Sequence, residues 1–229
     1  MEEIPKIGIR RRPKPSRATL TIPRKSDRNF VGQLTFGEEK GQGQCLGFIG
    51  LHEHDSALTM IYAPGVIDVE EQIKLIDYLG ADGEVHKRTF DFRVTTVHGS
   101  RYAIDVKNRA VAETARYRDD VTRAAAAAIP GTADKVFIVS KRNFNPEELH
   151  LAKLFHVSRF PQPEIDRVLE AFIQGFSGHA AMRDMLNAAG IGDNGFHAVM
   201  RLIHKGILTV AGSKRITLSS VVAKGEGAR

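Results

Sequence analysis

A single cysteine, no tryptophan and no apolar run near the length of a membrane span set the first limits on this chain of 229 residues. One cysteine, Cys45, excludes an internal disulfide and a cysteine-rich zinc site, and it has no base arranged beside it in sequence. The N-terminus is charged rather than signal-like, so the expectation is a cytoplasmic protein with no membrane partner. The glycines between positions 41 and 50 do not follow a strand and open a helix, which excludes a phosphate-binding loop. Ser140 and Ser177 have no nucleophile-elbow context. His52 and His54 lie two apart on a predicted helix, on different faces, and cannot chelate one ion together there.

What the chain has is an ordinary globular composition, 42% hydrophobic and 26% charged, enough for one core plus a small satellite domain. Its net charge of +6 is unevenly placed. Residues 1–30 carry nine Lys and Arg (Lys6, Arg10, Arg11, Arg12, Lys14, Arg17, Arg24, Lys25, Arg28) against Glu2, Glu3 and Asp27, which is the whole excess. A basic arm of this kind suits a polyanion, most simply duplex DNA through Arg10, Arg11 and Arg12.

Periodicity divides the rest. Residues 30–51 are glycine-rich and give no clear pattern. A helix is predicted over 51–62, stopped by Pro64-Gly65, then a strand over 69–79 turned by Asp82-Gly83 into a long strand over 85–97. A strand over 102–107, an alanine-rich helix over 110–129, a short strand over 135–139 and a helix over 146–155 follow. Phe160-Pro161-Gln162-Pro163 reads as a boundary. Beyond it come three helices: one with the stripe Ile165, Leu169, Phe172, Ile173 and Phe176, one over 177–189, and one over 193–204 capped by Asp193. A hairpin of residues 207–210 and 216–218 closes the chain, and three helices followed by a hairpin is the winged-helix pattern. Its third helix would show Asn194, His197, Arg201 and Lys205 outward, with Lys214 and Arg215 on the wing, as a surface for DNA.

The chemistry concentrates in the middle. Phe90-Asp91-Phe92-Arg93-Val94 and Tyr102-Ala103-Ile104-Asp105-Val106-Lys107 both alternate, and His98-Gly99-Ser100 supplies a turn between them. A turn centred on His98 sets Asp91 opposite Asp105, and a shift of one residue makes them diagonal neighbours. Facing carboxylates repel unless a proton or a cation lies between them. Glu53, on the helix over 51–62, can bring a third carboxylate. Glu53, Asp91 and Asp105 suit Mg²⁺ or Mn²⁺, and Lys107 would orient the attacking water or stabilise charge on a phosphate.

These residues resemble the TnsA-like endonuclease subunits of heteromeric bacterial transposases, within the PD-(D/E)xK nuclease superfamily. The resemblance spans about residues 50–156. It rests on Glu53, on Val66-Ile67-Asp68-Val69-Glu70-Glu71-Gln72, on Thr89-Phe90-Asp91-Phe92, on Ala103-Ile104-Asp105-Val106-Lys107, on Val136-Phe137-Ile138-Val139, and on Asn145-Pro146 leading into a helix. Three positions depart from the family pattern. Ile73 stands where proline often follows the Glu-Gln pair, and Ile49 where many relatives have a second acid. Asp105 stands where the best-known member has glutamine.

The resemblance implies an α/β fold, a restriction-endonuclease-like mixed sheet flanked by helices, with a C-terminal winged-helix domain. The expected division is a basic arm over 1–30, a nuclease domain over 31–158 and a winged-helix domain over 163–222. It also implies that Glu53, Asp91 and Asp105 bind the metal, that Lys107 assists, and that one strand is nicked at each transposon end. An integrase-type transposase subunit and an ATPase regulator are then the expected partners. Two other readings stand beside it: a stand-alone nuclease of repair or phage defence that uses the same residues, and a non-catalytic winged-helix DNA-binding or assembly protein whose nuclease-like domain is a scaffold.

Overall fold

Phe90 and Phe92 are both fully buried, yet in different cores. In one continuous strand residues two apart share a face, so the chain must break between them. It does, at Thr89–Asp91, and the single strand expected over 85–97 is two strands. Val69 and Ile73 repeat the situation, since they too lie in different cores. The break there is Gln72, whose φ of 44° is in the left-handed region that side chains with a Cβ rarely enter. The strand expected over 69–79 is therefore also two.

The computed structural model describes residues 12–20, 27, 30–37, 41–73, 76–212 and 215–225. The glycine-rich stretch forms an antiparallel hairpin, β1 (Val31–Phe36) with β2 (Gln44–Ile49). Gly50, at φ 99°, turns the chain into α1 (Leu51–Ile61). Then come β3 (Val66–Glu71), the hairpin β4 (Ile76–Leu79) with β5 (Val85–Arg88), β6 (Phe92–Thr96) and β7 (Arg101–Val106). The helix expected over 110–129 is two, α2 (Arg109–Ala112) and α3 (Ala115–Ala128), because two local caps compete with a continuous helix. Asn108 Oδ1 accepts from the Val111 N–H at 2.9 Å, and Thr114 Oγ1 from the Tyr117 N–H at 3.3 Å. β8 (Lys135–Val139) and α4 (Pro146–Ser158) complete the first part, and α4 runs one turn past its expected end.

Strands pair in the order β3-β6-β7-β8, antiparallel except for the parallel β7/β8 step. Helices cover both faces of this mixed sheet. Ala57 and Leu58 of α1 and Ala152 of α4 pack with Val69, Phe92, Val94, Ile104 and Val106 on one face. Val121, Ala124 and Ala128 of α3 pack with Phe90, Ala103, Ile76 and Tyr78 on the other. Truncating either buried phenylalanine to alanine would cost about 3–5 kcal/mol.

The C-terminal residues build a third core around Leu169, Met182, Leu186, Val199 and Val222. α5 (Pro163–Gly175) carries the predicted stripe inward. The helix expected over 177–189 begins instead as a strand, β9 (His179–Ala181), since Gly178 at φ 79° interrupts helical backbone, and only α6 (Met182–Ala188) is helical. α7 (Phe196–His204) follows a 3₁₀ turn over Gly192–Gly195. Asp193 does not cap it but faces Arg183 at 3.3 Å. β10 (Leu208–Val210) pairs not with 216–218 but with β11 (Val221–Lys224), which also pairs with β9. Ile216 and Leu218 pack on the core from a turn in which Ser220 Oγ accepts the Thr217 N–H at 2.9 Å. No helix among the described residues is long and apolar enough to cross a membrane.

Candidate active site

The β6/β7 register pairs Phe92 with Ile104 and Arg93 with Ala103. Extending it by one residue places Asp91, just before β6, across from Asp105 in β7. The turn centres on His98, as that register requires. Val106 fixes the geometry further, its N–H donating to Asp91 Oδ2 at 2.7 Å. Lys107 Nζ stands 3.5 Å from Asp91 Oδ2 and 3.4 Å from Asp105 Oδ1. One ammonium thus bridges two carboxylates, with Asp105 2% and Asp91 9% exposed, while Lys107 remains 36% exposed at the open end.

The other oxygen of Asp105 has partners that periodicity does not disclose. Arg88 Nη2 and the Tyr117 hydroxyl both donate to Oδ2. Arg88 also reaches the Tyr117 oxygen at 2.7 Å and Asp120 Oδ2 at 2.6 Å, and Tyr78 donates to Asp120 Oδ1 at 2.6 Å. These residues come from β4, β5 and α3, which the break at residues 89–91 brings over the β7 face. Arg88 sits between Lys87 and Thr89, and Tyr117 between Arg116 and Arg118, so nothing in their sequence neighbourhood marked them as inward-facing.

Burial opposes charge on every carboxylate here, but the compensation is uneven. On Asp105, Lys107, Tyr117 and Arg88 together outweigh burial and hold the carboxyl below the usual range. On Asp91, burial wins over Lys107, with the charge of Asp105 adding to it, and the carboxyl is raised. Glu53 is pushed up to about 7, chiefly by burial, and the Ile49 N–H it accepts only partly offsets this. The charges of Asp91, Lys107 and Asp105 all act on Glu53, so it faces the same cluster.

Asp91, Asp105 and Lys107 are therefore brought together. Glu53 is near, but its Oε2 is turned to the Ile49 N–H at 2.8 Å. Among the described residues no three His, Cys, Asp or Glu side chains are grouped so as to hold one metal ion. The donor chemistry nonetheless fits a hard divalent ion. Asp105 has both Arg88 and Lys107, while buried Asp91 and half-buried Glu53 have only the Lys107 charge, already shared with Asp105, so these two carboxyls are short of positive charge.

The expected DNA-facing residues separate. Arg10, Arg11 and Lys214 lie outside the described residues. Arg12 and Arg215 are exposed, and the Arg12 carbonyl accepts from Gln42 Nε2 at 2.7 Å. Asn194 is exposed on the turn before α7. Arg201 is not on an outer face. Its side chain is 11% exposed, its guanidinium pairs with Asp166, and it donates to the carbonyls of Ser158 at 2.8 Å and Phe160 at 2.9 Å. His197 Nδ1 is 2.8 Å from Ser158 Oγ, and Lys205 faces Glu170 at 3.5 Å. Of these residues Arg201 is the one turned into α4 and the 159–162 connection, while Asn194, His197 and Lys205 are exposed. No protein-family model matches the chain, and no curated protein matches it, so the site is read from its own geometry.

Proposed function

We propose that this chain is a metal-dependent DNA endonuclease, the TnsA-like subunit that nicks one strand at each end of a transposon. The observation that carries the reading is Lys107 lying within 3.5 Å of both Asp91 and Asp105, just past the C-terminal end of the interior strand β7. Asp91, Asp105 and Glu53 would hold Mg²⁺ or Mn²⁺, which when bound supplies an activated water and neutralises charge on the phosphate. Lys107, released from bridging the carboxylates, would face the scissile phosphate and stabilise charge developing on its oxygens. Asp105, its carboxyl held below the usual range by Lys107, Tyr117 and Arg88, would serve as an anionic ligand near neutral pH. The C-terminal unit, three helices with a three-stranded sheet, is proposed as a winged-helix domain. With Arg201 tied to Asp166 and the Ser158 and Phe160 carbonyls rather than free to meet a base edge, it suits protein docking more than base reading. An integrase-type transposase subunit and an ATPase regulator are the proposed partners.

A second reading has its own support. Lys107 and Arg88 satisfy Asp105 as a structural ion cluster would, which suits a non-catalytic assembly protein. Nicking of supercoiled duplex DNA decides, assayed with Mg²⁺ or Mn²⁺, alone and with an integrase-type partner. Nicking by wild type that is lost in Asp91→Asn and in chelator supports the endonuclease. Intact DNA under every condition supports the assembly protein.

A further inference from the structure

We infer that Gln72 is a positioning residue for Asp91, and that the segment 12–20 is the strap that holds Gln72 in place. This deepens the nuclease reading and rests on it for its functional meaning, though the coupling itself is a property of the fold.

The strap crosses the ends of β2 and β3. Lys14 exchanges backbone hydrogen bonds with the start of β2, its N–H to the Gly43 carbonyl at 2.7 Å and its carbonyl from the Cys45 N–H at 2.9 Å. Ser16 donates to Glu71, a carboxylate only 1% exposed. Arg17 grips Asp68 with both Nη atoms at 2.7 and 2.8 Å and adds the Val69 carbonyl at 2.8 Å. Thr19 then gives two donors to one acceptor, its N–H at 3.0 Å and its Oγ1 at 2.7 Å from the Gln72 carbonyl. Ser16, Arg17 and Thr19 thus hold Asp68, Val69, Glu71 and Gln72, with Lys14 fixed on β2, and the basic segment is not a free tail at these positions.

Gln72 is where this matters. Its backbone at φ 44° is one that non-glycine residues persist in only when the surroundings over-determine it. Two strap donors on its carbonyl supply part of that determination. From that backbone Gln72 reaches Asp91 twice, through its N–H to the Asp91 carbonyl at 2.8 Å and through Nε2 toward Oδ1 at 3.4 Å. Asp91 Oδ2 is held on the other side by the Val106 N–H. The side chain that faces Asp105 and Lys107 is thus aimed by a residue the strap holds. A left-handed position is more often filled by glycine or asparagine; glutamine is long enough to reach the carboxylate.

The test uses the full chain and the Val106 amide, whose N–H reports on the Asp91 carboxylate. Thr19→Val removes the hydroxyl donor while keeping shape and the backbone N–H. Gln72→Gly eases the backbone and removes the amide side chain. In both, the Val106 amide resonance should shift and its hydrogen exchange should quicken by about fivefold, as for loss of one ordinary hydrogen bond. Amides of α7, which belong to the other core, should not respond. A merely structural strap would lower the melting temperature without moving Val106. An unchanged Val106 resonance and exchange rate in either variant overturns the proposal. Thr19→Val keeps the test decisive if the glycine variant does not fold. Since exchange is read without DNA or metal, a failed nicking assay leaves this result standing, and the two failures can be told apart.

Discussion

Arg88 donates to Asp105 across two strands that form no ladder with each other. Among the described residues β5 pairs with β4 alone, so the guanidinium reaches β7 from above the sheet rather than along it. It enters at 12% exposure, and its Nε has no hydrogen-bond partner among the described residues. Such a residue is held by what its Nη atoms do, which is to match Asp105 and Asp120 together.

Arg88→Met should therefore destabilise the fold strongly, by about 3–5 kcal/mol, because it strands a buried carboxylate. Adding Asp105→Asn should recover part of the loss, since the stranded charge goes with it. Urea titration of the two single variants and the double variant gives the coupling. Strictly additive losses would show that Arg88 acts by packing alone.

Glu53 gives a pH dependence with a defined sign. Its carboxyl is raised to about 7, so the folded state holds the proton more tightly than the unfolded chain does. That contribution is fully present below the ordinary glutamate range and is lost as pH rises toward 7. Glu53→Gln has no charge to bury. In chelator, its melting temperature should match wild type near pH 4.5 and exceed it increasingly up to pH 7. Parallel curves across that window would mean that Glu53 is not held in a charge-poor site.

The same carboxyls give the metal prediction. Mg²⁺ or Mn²⁺ should raise the melting temperature of wild type by mass action, with the larger effect above pH 7, where Glu53 is ionised. Asp91→Asn should lose most of the binding heat in calorimetry. Equal heats in the two proteins would remove Asp91 from the ligand set.

The facing of Asp91 and Asp105 was legible because it depends on period two and on one turn, both local. The Tyr102–Lys107 strand, the helix starting at Leu51 and the β8 strand were legible for the same reason. What failed was continuity. Nothing local to Phe90 and Phe92 says that they serve different cores, so the breaks at Thr89–Asp91 and at Gln72 could not be read. The partners that depend on those breaks, Arg88, Tyr117 and Asp120, were hidden with them. Gln72 was visible as part of a motif, but its left-handed backbone was not. In the C-terminal unit the apolar stripe of α5 was legible, whereas the burial of Arg201 was not, because an arginine on a helix looks solvated until its neighbour across the interface is known.

Arg201 gives the last prediction, and it runs against its charge. A lysine or arginine that neutralises a DNA phosphate releases counterions, so removing it should lower the salt dependence of binding by about one unit of slope. Arg201 is instead spent on Asp166, Gln162 and the carbonyls of Ser158 and Phe160, which end α4 and lead into α5. Arg201→Ala should leave the salt slope for DNA unchanged and cost about 2–4 kcal/mol in stability, since buried acceptors lose a charged donor. Arg201→Lys should recover little, because an ammonium cannot serve four acceptors set around a planar fork. Titrating labelled duplex DNA at several salt concentrations, alongside thermal unfolding of the same variants, checks both halves. A slope reduced by about one with stability intact would place Arg201 on phosphate and overturn its assignment to the seam between α4, α5 and α7.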